Sequence, residues 1–144
     1  MSDVWTVVMM VSGGLFVGGV VSIAWERLPA WLSVPLTEFR GSFAHTLRRV
    51  DRLQPALLSV LLVSTVGFAI TAEGLARSLG WVAAAGFVAI LVGSVAWLVP
   101  IQRRLSSGLA VDAERLRNRW LRGHLIRTVA AFALFIVAAA ATTI

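Results

Sequence analysis

The sequence predicts an all-α fold, namely an integral membrane four-helix bundle with an amphipathic interfacial helix between helices one and two. Four long runs carry no charged residue, and hydrophobic residues make up 58% of the chain. Runs of this length suit membrane-spanning helices. All thirteen basic residues are arginine, and twelve of them lie in the stretches 27–52 and 103–127. These stretches follow the first and third runs, so the bundle would have one basic side.

The apolar runs predict one domain over residues 1–144, with spans at about 4–25, 53–72, 78–100 and 124–144. The first run is long enough to cross a bilayer at a tilt. The last uncharged run, 128–144, would cover only roughly 26 Å of a ~30 Å hydrocarbon core. We therefore expect the preceding turn, 124–127, to enter the membrane and to face the bundle interior rather than lipid.

The charge and the tryptophans indicate how the bundle sits in a membrane. The formal charge of +6 comes from arginines beside apolar runs, which favours anionic lipid headgroups as partners over nucleic acid. The positive-inside rule places the basic links in the cytoplasm and both termini outside, as in a bacterial inner membrane. Tryptophan favours membrane interfaces, so we expect Trp5 and Trp81 at the outer interface and Trp25, Trp31, Trp97 and Trp120 at the inner one.

The first basic link has two parts. Residues 27–37 contain Pro29 and Pro35 and predict an irregular interfacial segment. Residues 38–53 predict the amphipathic helix, with Pro55 in the first turn of the next span. Its apolar side carries Phe43, Leu47, Val50 and Leu53, and its polar side carries His45, Arg48, Arg49 and Arg52.

The second basic link predicts a helix that runs into the fourth span. Residues 111–121 could be helical and continuous with that span, because Gly123 inside a helix costs only about 1 kcal/mol. Pro100 is expected to end the third span.

One face of that last helix carries the residue types that chemistry needs. Three-and-four spacing aligns Arg117, Trp120, Leu121, His124, Arg127 and Thr128. In a functional interpretation His124 is a general base, and Arg117 and Arg127 stabilise an anion. In a structural one the arginines reach toward lipid phosphate. Polar groups at membrane depth favour function, and neighbouring cations favour the neutral imidazole that a base needs.

A metal site is an alternative use of the histidines. His45 and His124 lie on the same side of the membrane, and Glu26 ends the first span there. Two His and one carboxylate form a recognised ligand set for iron, and copper also accepts imidazole. Otherwise Glu26 would pair with an arginine. The chain contains no Cys, which excludes thiolate sites and disulfides.

Small residues recur on the first span at Gly14, Gly18 and Ser22. Such a row allows close helix packing, and it could also make room for a flat ligand. Four short helices leave little interior for both a core and a ligand cavity, which makes a homo-oligomer plausible.

Several motifs in the last third of the chain resemble the anthrone oxygenase-like family of small four-helix membrane proteins. The matching stretches are Val-Pro-Ile-Gln-Arg-Arg-Leu at 99–105, Arg-Trp-Leu-Arg-Gly-His at 119–124 and Arg-Thr at 127–128. A Gly-Gly-Leu-Phe stretch at 13–16 is also similar. Gln102 stands where the family usually has Asn, so an amide that orients substrate would be longer here.

The resemblance implies oxidation of an aromatic, polyketide-like anthrone by molecular oxygen, with no cofactor strictly needed. His124 would then be the base, Arg127 and Arg117 would stabilise the enolate, and His45 would be a second acid–base group. The substrate would contact Trp120, Gln102, Gly14, Gly18 and Glu26.

Two alternatives stay open, a copper- or iron-dependent oxygenase and a non-enzymatic module that binds lipid or a hydrophobic molecule. A transporter is disfavoured because the middles of the four runs lack charged residues.

Overall fold

The computed structural model describes residues 2–107 and 111–144, without the side chains of Ser2, Arg49, Asp51 and Arg52. Within these ranges the chain is helical and contains no strand. The helices are α1 (Ser2–Ser22), α2 (Leu28–Ser33), α3 (Leu36–Thr71), α4 (Gly74–Gly93), α5 (Val99–Ser106) and α6 (Ala113–Ala141). Two π-helical turns, Ile23–Arg27 and Ser94–Leu98, join α1 to α2 and α4 to α5.

Four helical units are long and apolar enough to cross a membrane, which confirms the predicted all-α class and fits an integral membrane protein. They are Asp3–Ser33, Leu53–Thr71, Gly74–Ser106 and Ala113–Ala141. The bundle is a ring in which α1 packs on α3, α3 on α4, α4 on α6 and α6 on α1. Large apolar side chains such as Val7, Val11 and Ile136 point outward, where lipid rather than water would surround them.

The bundle has two hydrophobic cores stacked along its length. The first lies among the spans and includes Phe16, Leu61 and Phe87. The second lies at the basic end, where α2 and the start of α3 pack on α5 and the start of α6. The spans thus continue as helices into a second, aromatic-rich layer, because the basic links carry buried apolar residues as well as arginines.

The tryptophans only partly follow the predicted interfacial belt. Trp31 and Trp120 are both 2% exposed and belong to the second core, so their indole rings face the bundle interior rather than the surroundings of the protein. Trp25, Trp81 and Trp97 are exposed, as residues that contact an interface must be. The prediction used only the position of each tryptophan along the chain. The side of the helix on which a tryptophan lies decides whether its indole ring faces the bundle interior.

The two predicted helix interruptions at prolines are not found. Residues 27–37 are not an irregular segment, because α2 continues the first span past Pro29, and the chain breaks only where Val34 is extended before Pro35. Pro100 does not end the third span, because α5 carries it to Ser106. Each proline lies in the first turn after a π-helical turn, where its missing N–H is tolerated.

The amphipathic segment 38–53 is helical but not a separate interfacial helix. It is the first part of α3, which continues through Pro55 to Thr71 as one helix of 36 residues, so Pro55 is internal rather than in a first turn. Phe43 and Leu47 are buried as expected, and His45 and Arg48 are exposed. The predicted exposure of Arg49 and Arg52 falls on side chains outside the described part.

The buried side of α3 departs from the prediction at its last position. Leu53 is 59% exposed, whereas Gln54 is 9% exposed and takes its place on the buried side. The positions 43, 47, 50, 54, 58 and 61 follow helical spacing into the span, and Leu53 does not. An apolar residue at 53 faces outward because the exterior of a span is itself apolar.

Helix α6 runs through Gly123 to Ala141, as predicted. A Cβ atom at Gly123 would lie 2.7 Å from Leu98 Cδ2 and 3.0 Å from Trp97 Cζ3. The absence of a side chain therefore lets α6 approach the π-helical turn Ser94–Leu98 closely.

The packing glycines of α1 are not those predicted. Gly14 and Gly18 face outward, and a Cβ atom at either would meet nothing within 4 Å. Their neighbours Gly13 and Gly19 make the close contacts, with Phe135 and Leu61 and with Gln54 respectively. In each pair of adjacent glycines, Gly13–Gly14 and Gly18–Gly19, the two residues lie on different sides of the helix. Only one of these sides faces the bundle interior.

We expect Gly13→Ala to destabilise the protein and Gly14→Ala to leave it unchanged or more stable. A Cβ atom at Gly13 would lie 2.6 Å from Phe135 Cε2, and overpacking of this kind costs about 1–3 kcal/mol. At the neighbouring position alanine gains up to about 1 kcal/mol of helix propensity. Thermal unfolding in one detergent would compare the two variants, and equal midpoints would contradict this packing of α1.

Candidate functional site

A cavity of about 110 Å³ lies near the basic end of the bundle, at the level where the two cores meet. Apolar side chains from α1, α3 and α4, among them Phe16, Leu58 and Leu91, form much of its wall. Six polar or amphipathic side chains also border it: Gln54, Ser94, Gln102, Trp120, His124 and Arg127. An apolar cavity with a few polar groups is typical of small-molecule sites.

His124 is fully buried, and both of its ring nitrogens are engaged. Nε2 lies 3.2 Å from the carbonyl oxygen of Val20 on α1, and Nδ1 lies 2.8 Å from Arg127 Nη2. A guanidinium only donates hydrogen bonds and a carbonyl oxygen only accepts them. Nδ1 must therefore accept from Arg127 while Nε2–H donates to Val20, so the two partners select the neutral Nε2–H tautomer.

Thr128 supports the same junction one turn later. Its Oγ1 donates to the carbonyl oxygen of His124 at 2.9 Å and lies 3.5 Å from the carbonyl oxygen of Val20. His124 and Thr128 are buried and face the bundle interior, as expected for the turn that was predicted to enter the membrane.

Trp120 fixes the plane of the imidazole. The rings of Trp120 and His124 are stacked, with centroids 5.1 Å apart and an interplanar angle of 14°. Trp120 also makes edge contacts with Phe43 and Trp31 in the second core. Trp120 was predicted to contact the substrate. His124 occupies one face of its indole ring, although Trp120 still borders the cavity.

Arg127 stands between the cavity and a second, larger depression. A groove of about 480 Å³ runs along the outside of the bundle between α4 and α6. Its floor is made of small residues, including Gly93, Ala130 and Ala133. Ser94, Leu98 and Arg127 border both the groove and the cavity. Movement of Arg127 would therefore change the barrier between the two spaces and the hydrogen bond at His124 Nδ1 together.

Arg117 shares the helix face of His124 but does not border the cavity. Its guanidinium donates from Nη1 to the carbonyl oxygen of Val34 at 3.3 Å, and Nη2 lies 3.7 Å from Glu114 Oε1. It also lies over the Phe39 ring, 5.7 Å from the centroid. Arg117 thus ties α6 to the turn between α2 and α3, and these contacts give no support to its predicted place beside His124.

The other predicted site residues lie on the surface. His45 is exposed on α3, away from the cavity lining, and Gly14 and Gly18 face outward. Glu26 is exposed and pairs with Arg27 at 3.7 Å. The structure therefore does not bring His45, His124 and Glu26 together, and no group of three potential metal ligands occurs among the residues that it describes.

Sequence reasoning missed two polar residues of the cavity wall, Gln54 and Ser94. Gln54 follows the buried spacing of α3, and that spacing was the available signal. Ser94 begins a π-helical turn, and its position could have been inferred only from the turn itself. Both carry a buried oxygen, Gln54 Oε1 and Ser94 Oγ, that has no hydrogen-bond partner within the described part of the chain.

We expect the imidazole of His124 to be the neutral Nε2–H tautomer at neutral pH, because Arg127 donates to Nδ1. The chain has only two histidines, so ¹⁵N-labelled histidine would give two sets of ring signals in detergent or lipid. His45→Asn would remove one set and assign the other. A doubly protonated ring or an Nδ1–H tautomer for His124 would contradict the hydrogen bonds described here.

Comparison of the chain with protein-family models, with curated proteins and with solved structures finds no match. The resemblance carried by residues 99–105 and 119–128 therefore stays an interpretation of the sequence. The chemistry of the buried His124–Arg127 pair and its cavity is the basis on which a function can be proposed.

Proposed function

We propose that the protein is a membrane-embedded oxygenase that oxidises an acidic CH₂ group of an aromatic, hydrophobic substrate with molecular oxygen. The observation that carries the proposal is the buried imidazole of His124, which borders the cavity and has its Nδ1 2.8 Å from Arg127 Nη2. A base beside a cation in a site without bulk water suits formation of an enolate. The resemblance of residues 119–128 to anthrone oxygenase-like proteins supports the same substrate type.

The proposed reaction balances without a further reductant. His124 removes one proton from the CH₂ group, and the enolate gives one electron to O₂, which forms superoxide and a carbon radical. These combine into a peroxide that takes up the proton. Loss of water then leaves a ketone, so that R₂CH₂ + O₂ becomes R₂C=O + H₂O. The guanidinium of Arg127 would stabilise the negative charge on the enolate and then on the reduced oxygen.

Arg127 must move before His124 can act as a base. The Nδ1 lone pair accepts a hydrogen bond from Arg127, and Nε2 carries the proton that is donated to Val20. Only displacement of the guanidinium exposes the basic nitrogen. A substrate carbonyl that accepts a hydrogen bond from Arg127 would draw it away, so substrate binding and exposure of the base would be one event.

A membrane-dissolved substrate would reach the site through the groove between α4 and α6. The cavity holds about 110 Å³, less than the roughly 150 Å³ of an engineered apolar cavity that binds benzene. It therefore accommodates one ring at most. The remaining rings of a larger planar molecule would lie in the groove, which is apolar and shares Ser94, Leu98 and Arg127 with the cavity.

A binding module without catalysis is the second candidate. The observation that favours it is the full engagement of both His124 nitrogens, which gives the histidine a structural role between α1 and α6. In that case the cavity would hold a hydrophobic molecule without turnover. The two candidates differ in oxygen consumption, since only the enzyme consumes oxygen.

We expect the purified protein in detergent to consume oxygen when it is given an anthrone, and His124→Gln to lower kcat/KM about 100-fold or more, as for loss of a general base. A glutamine side chain at this position keeps an N–H group that can donate to the Val20 carbonyl oxygen, but it has no basic nitrogen. Arg127→Gln should also lower the rate, because the developing anion loses its cation. His45→Gln is the matched control and should not change it. Full activity in His124→Gln would refute the proposed base.

We expect Gly93→Leu to impair access of the substrate without changing the chemical step. A Cβ atom at Gly93 meets nothing within 4 Å, so the larger side chain fits and fills part of the groove. KM for a membrane-dissolved substrate should rise about tenfold, the effect of some 1.4 kcal/mol of lost binding, while kcat stays constant. Gly14→Leu, at an equally open position on α1, is the control. Equal kinetics in both variants would rule out this access route.

A further inference from the structure

The outward face of α6 changes from arginine to apolar residues at the basic end of the bundle. Helical spacing aligns five exposed residues along this face, namely Arg115, Arg119, Arg122, Ile126 and Val129. Ile126 and Val129 are 58% and 62% exposed, as expected of side chains that face lipid. Arg122 lies one helical turn from Ile126. The arginines therefore begin where the apolar outer surface ends, which is the level of the headgroups of a bilayer.

The charges of Arg119 and Arg122 are not neutralised by their own helix. None of the residues three or four positions from either arginine is acidic. Their guanidinium groups make no hydrogen bond or ion pair within the part of the chain that the structure describes. Like charges at this spacing repel each other across the helix surface. An anion bound between the two guanidinium groups would replace this repulsion with attraction.

An open depression of about 560 Å³ follows the same arginines. Its wall contains Arg115, Arg119 and Arg122, and its acidic residues, Asp112 and Glu114, belong to the start of the helix. Glu114 also lies 3.7 Å from a guanidinium outside the depression, at the opposite end from the apolar surface. The end of the depression nearest the apolar surface therefore carries only positive charge.

We propose that Arg119 and Arg122 form a docking site for the phosphate of an anionic phospholipid, whose acyl chains lie along Ile126 and Val129. Phosphate oxygens accept hydrogen bonds from guanidinium groups in a favourable geometry. One lipid molecule complements both parts of this face, since its headgroup matches the arginines and its chains match the apolar residues beside them. A nucleic acid would match the arginines alone. The site is on the outside of α6 and does not depend on any reaction at the cavity.

Arg103 and Arg104 provide a matched comparison. Both are exposed on α5, which packs against α6 at the basic end. Adjacent residues point in different directions around a helix, so this pair does not converge on one phosphate, whereas residues three apart are neighbours. Replacing either pair with glutamine removes the same charge. A local site and a general attraction of the basic end for anionic lipid therefore predict different results.

The test measures which lipid lies beside α6. The chain has no cysteine, so Val129→Cys carries a fluorescent label at one place, about 10 Å from Arg122 toward the membrane core. In lipid nanodiscs, bromine atoms on the acyl chains quench the label. Brominated phosphatidylglycerol is compared with brominated phosphatidylcholine at the same fraction. We expect the anionic lipid to be enriched about fivefold beside the label, the effect of roughly one arginine near a lipid surface.

Arg119→Gln combined with Arg122→Gln should abolish the enrichment, and Arg103→Gln combined with Arg104→Gln should leave most of it. If a double variant does not fold, Arg122→Gln and Arg104→Gln make the same comparison singly. Equal quenching by both lipids with all arginines present, or an equal loss in both pairs of variants, would overturn the proposal. Release of the anionic lipid by inorganic phosphate or by a DNA duplex, but not by chloride at the same ionic strength, would also overturn it.

Discussion

The hydrogen-bond chain from Val20 through His124 to Arg127 is the interaction on which the rest of the site depends. It crosses from α1 to α6 at the level where the first core, among the spans, meets the second core at the basic end. Val20 and His124 are buried in the bundle, where an unpaired polar group is costly, and each finds a partner within the protein. Trp120 holds the imidazole plane, and Thr128 occupies the same carbonyl region. One buried side chain therefore links two spans and also provides a basic nitrogen at the cavity.

The cavity lies among helices that contain irregular turns but continue through them. The π-helical turn Ser94–Leu98 turns Ser94 and Leu98 toward the cavity, and Gly123 lets α6 come close to that turn. The corresponding turn Ile23–Arg27 lies at the same end of the bundle, and each turn is followed by a helix with proline in its first turn. Departures of this kind from α-helical geometry concentrate at functional sites. Here both turns contribute residues to the cavity wall, Ile23 from one and Ser94 and Leu98 from the other.

Much of the fold could be predicted from the sequence, because hydrophobic runs and arginine placement depend on composition over long windows. The stripe with Trp120, His124 and Arg127 was also predictable, since helical spacing aligned it. The side of each helix that faces the bundle interior could not be predicted. Gly13 and Gly14 differ by one position, as do Leu53 and Gln54, yet one member of each pair faces the bundle. In a span both sides are apolar, so hydropathy does not reveal which side is inward.

The same ambiguity explains why the sequence groups Arg117 and His45 with His124, whereas neither of them borders the cavity. Arginine and histidine near a membrane serve equally as solvated surface, as links between elements or as reactive groups, and only their partners separate these uses. Arg117 binds a backbone carbonyl and an aromatic face, and those contacts make it a link. Arg127 instead meets an imidazole at the boundary between a small cavity and an open groove. A guanidinium placed there links the imidazole to the outside of the bundle, because Arg127 borders both the cavity and the groove.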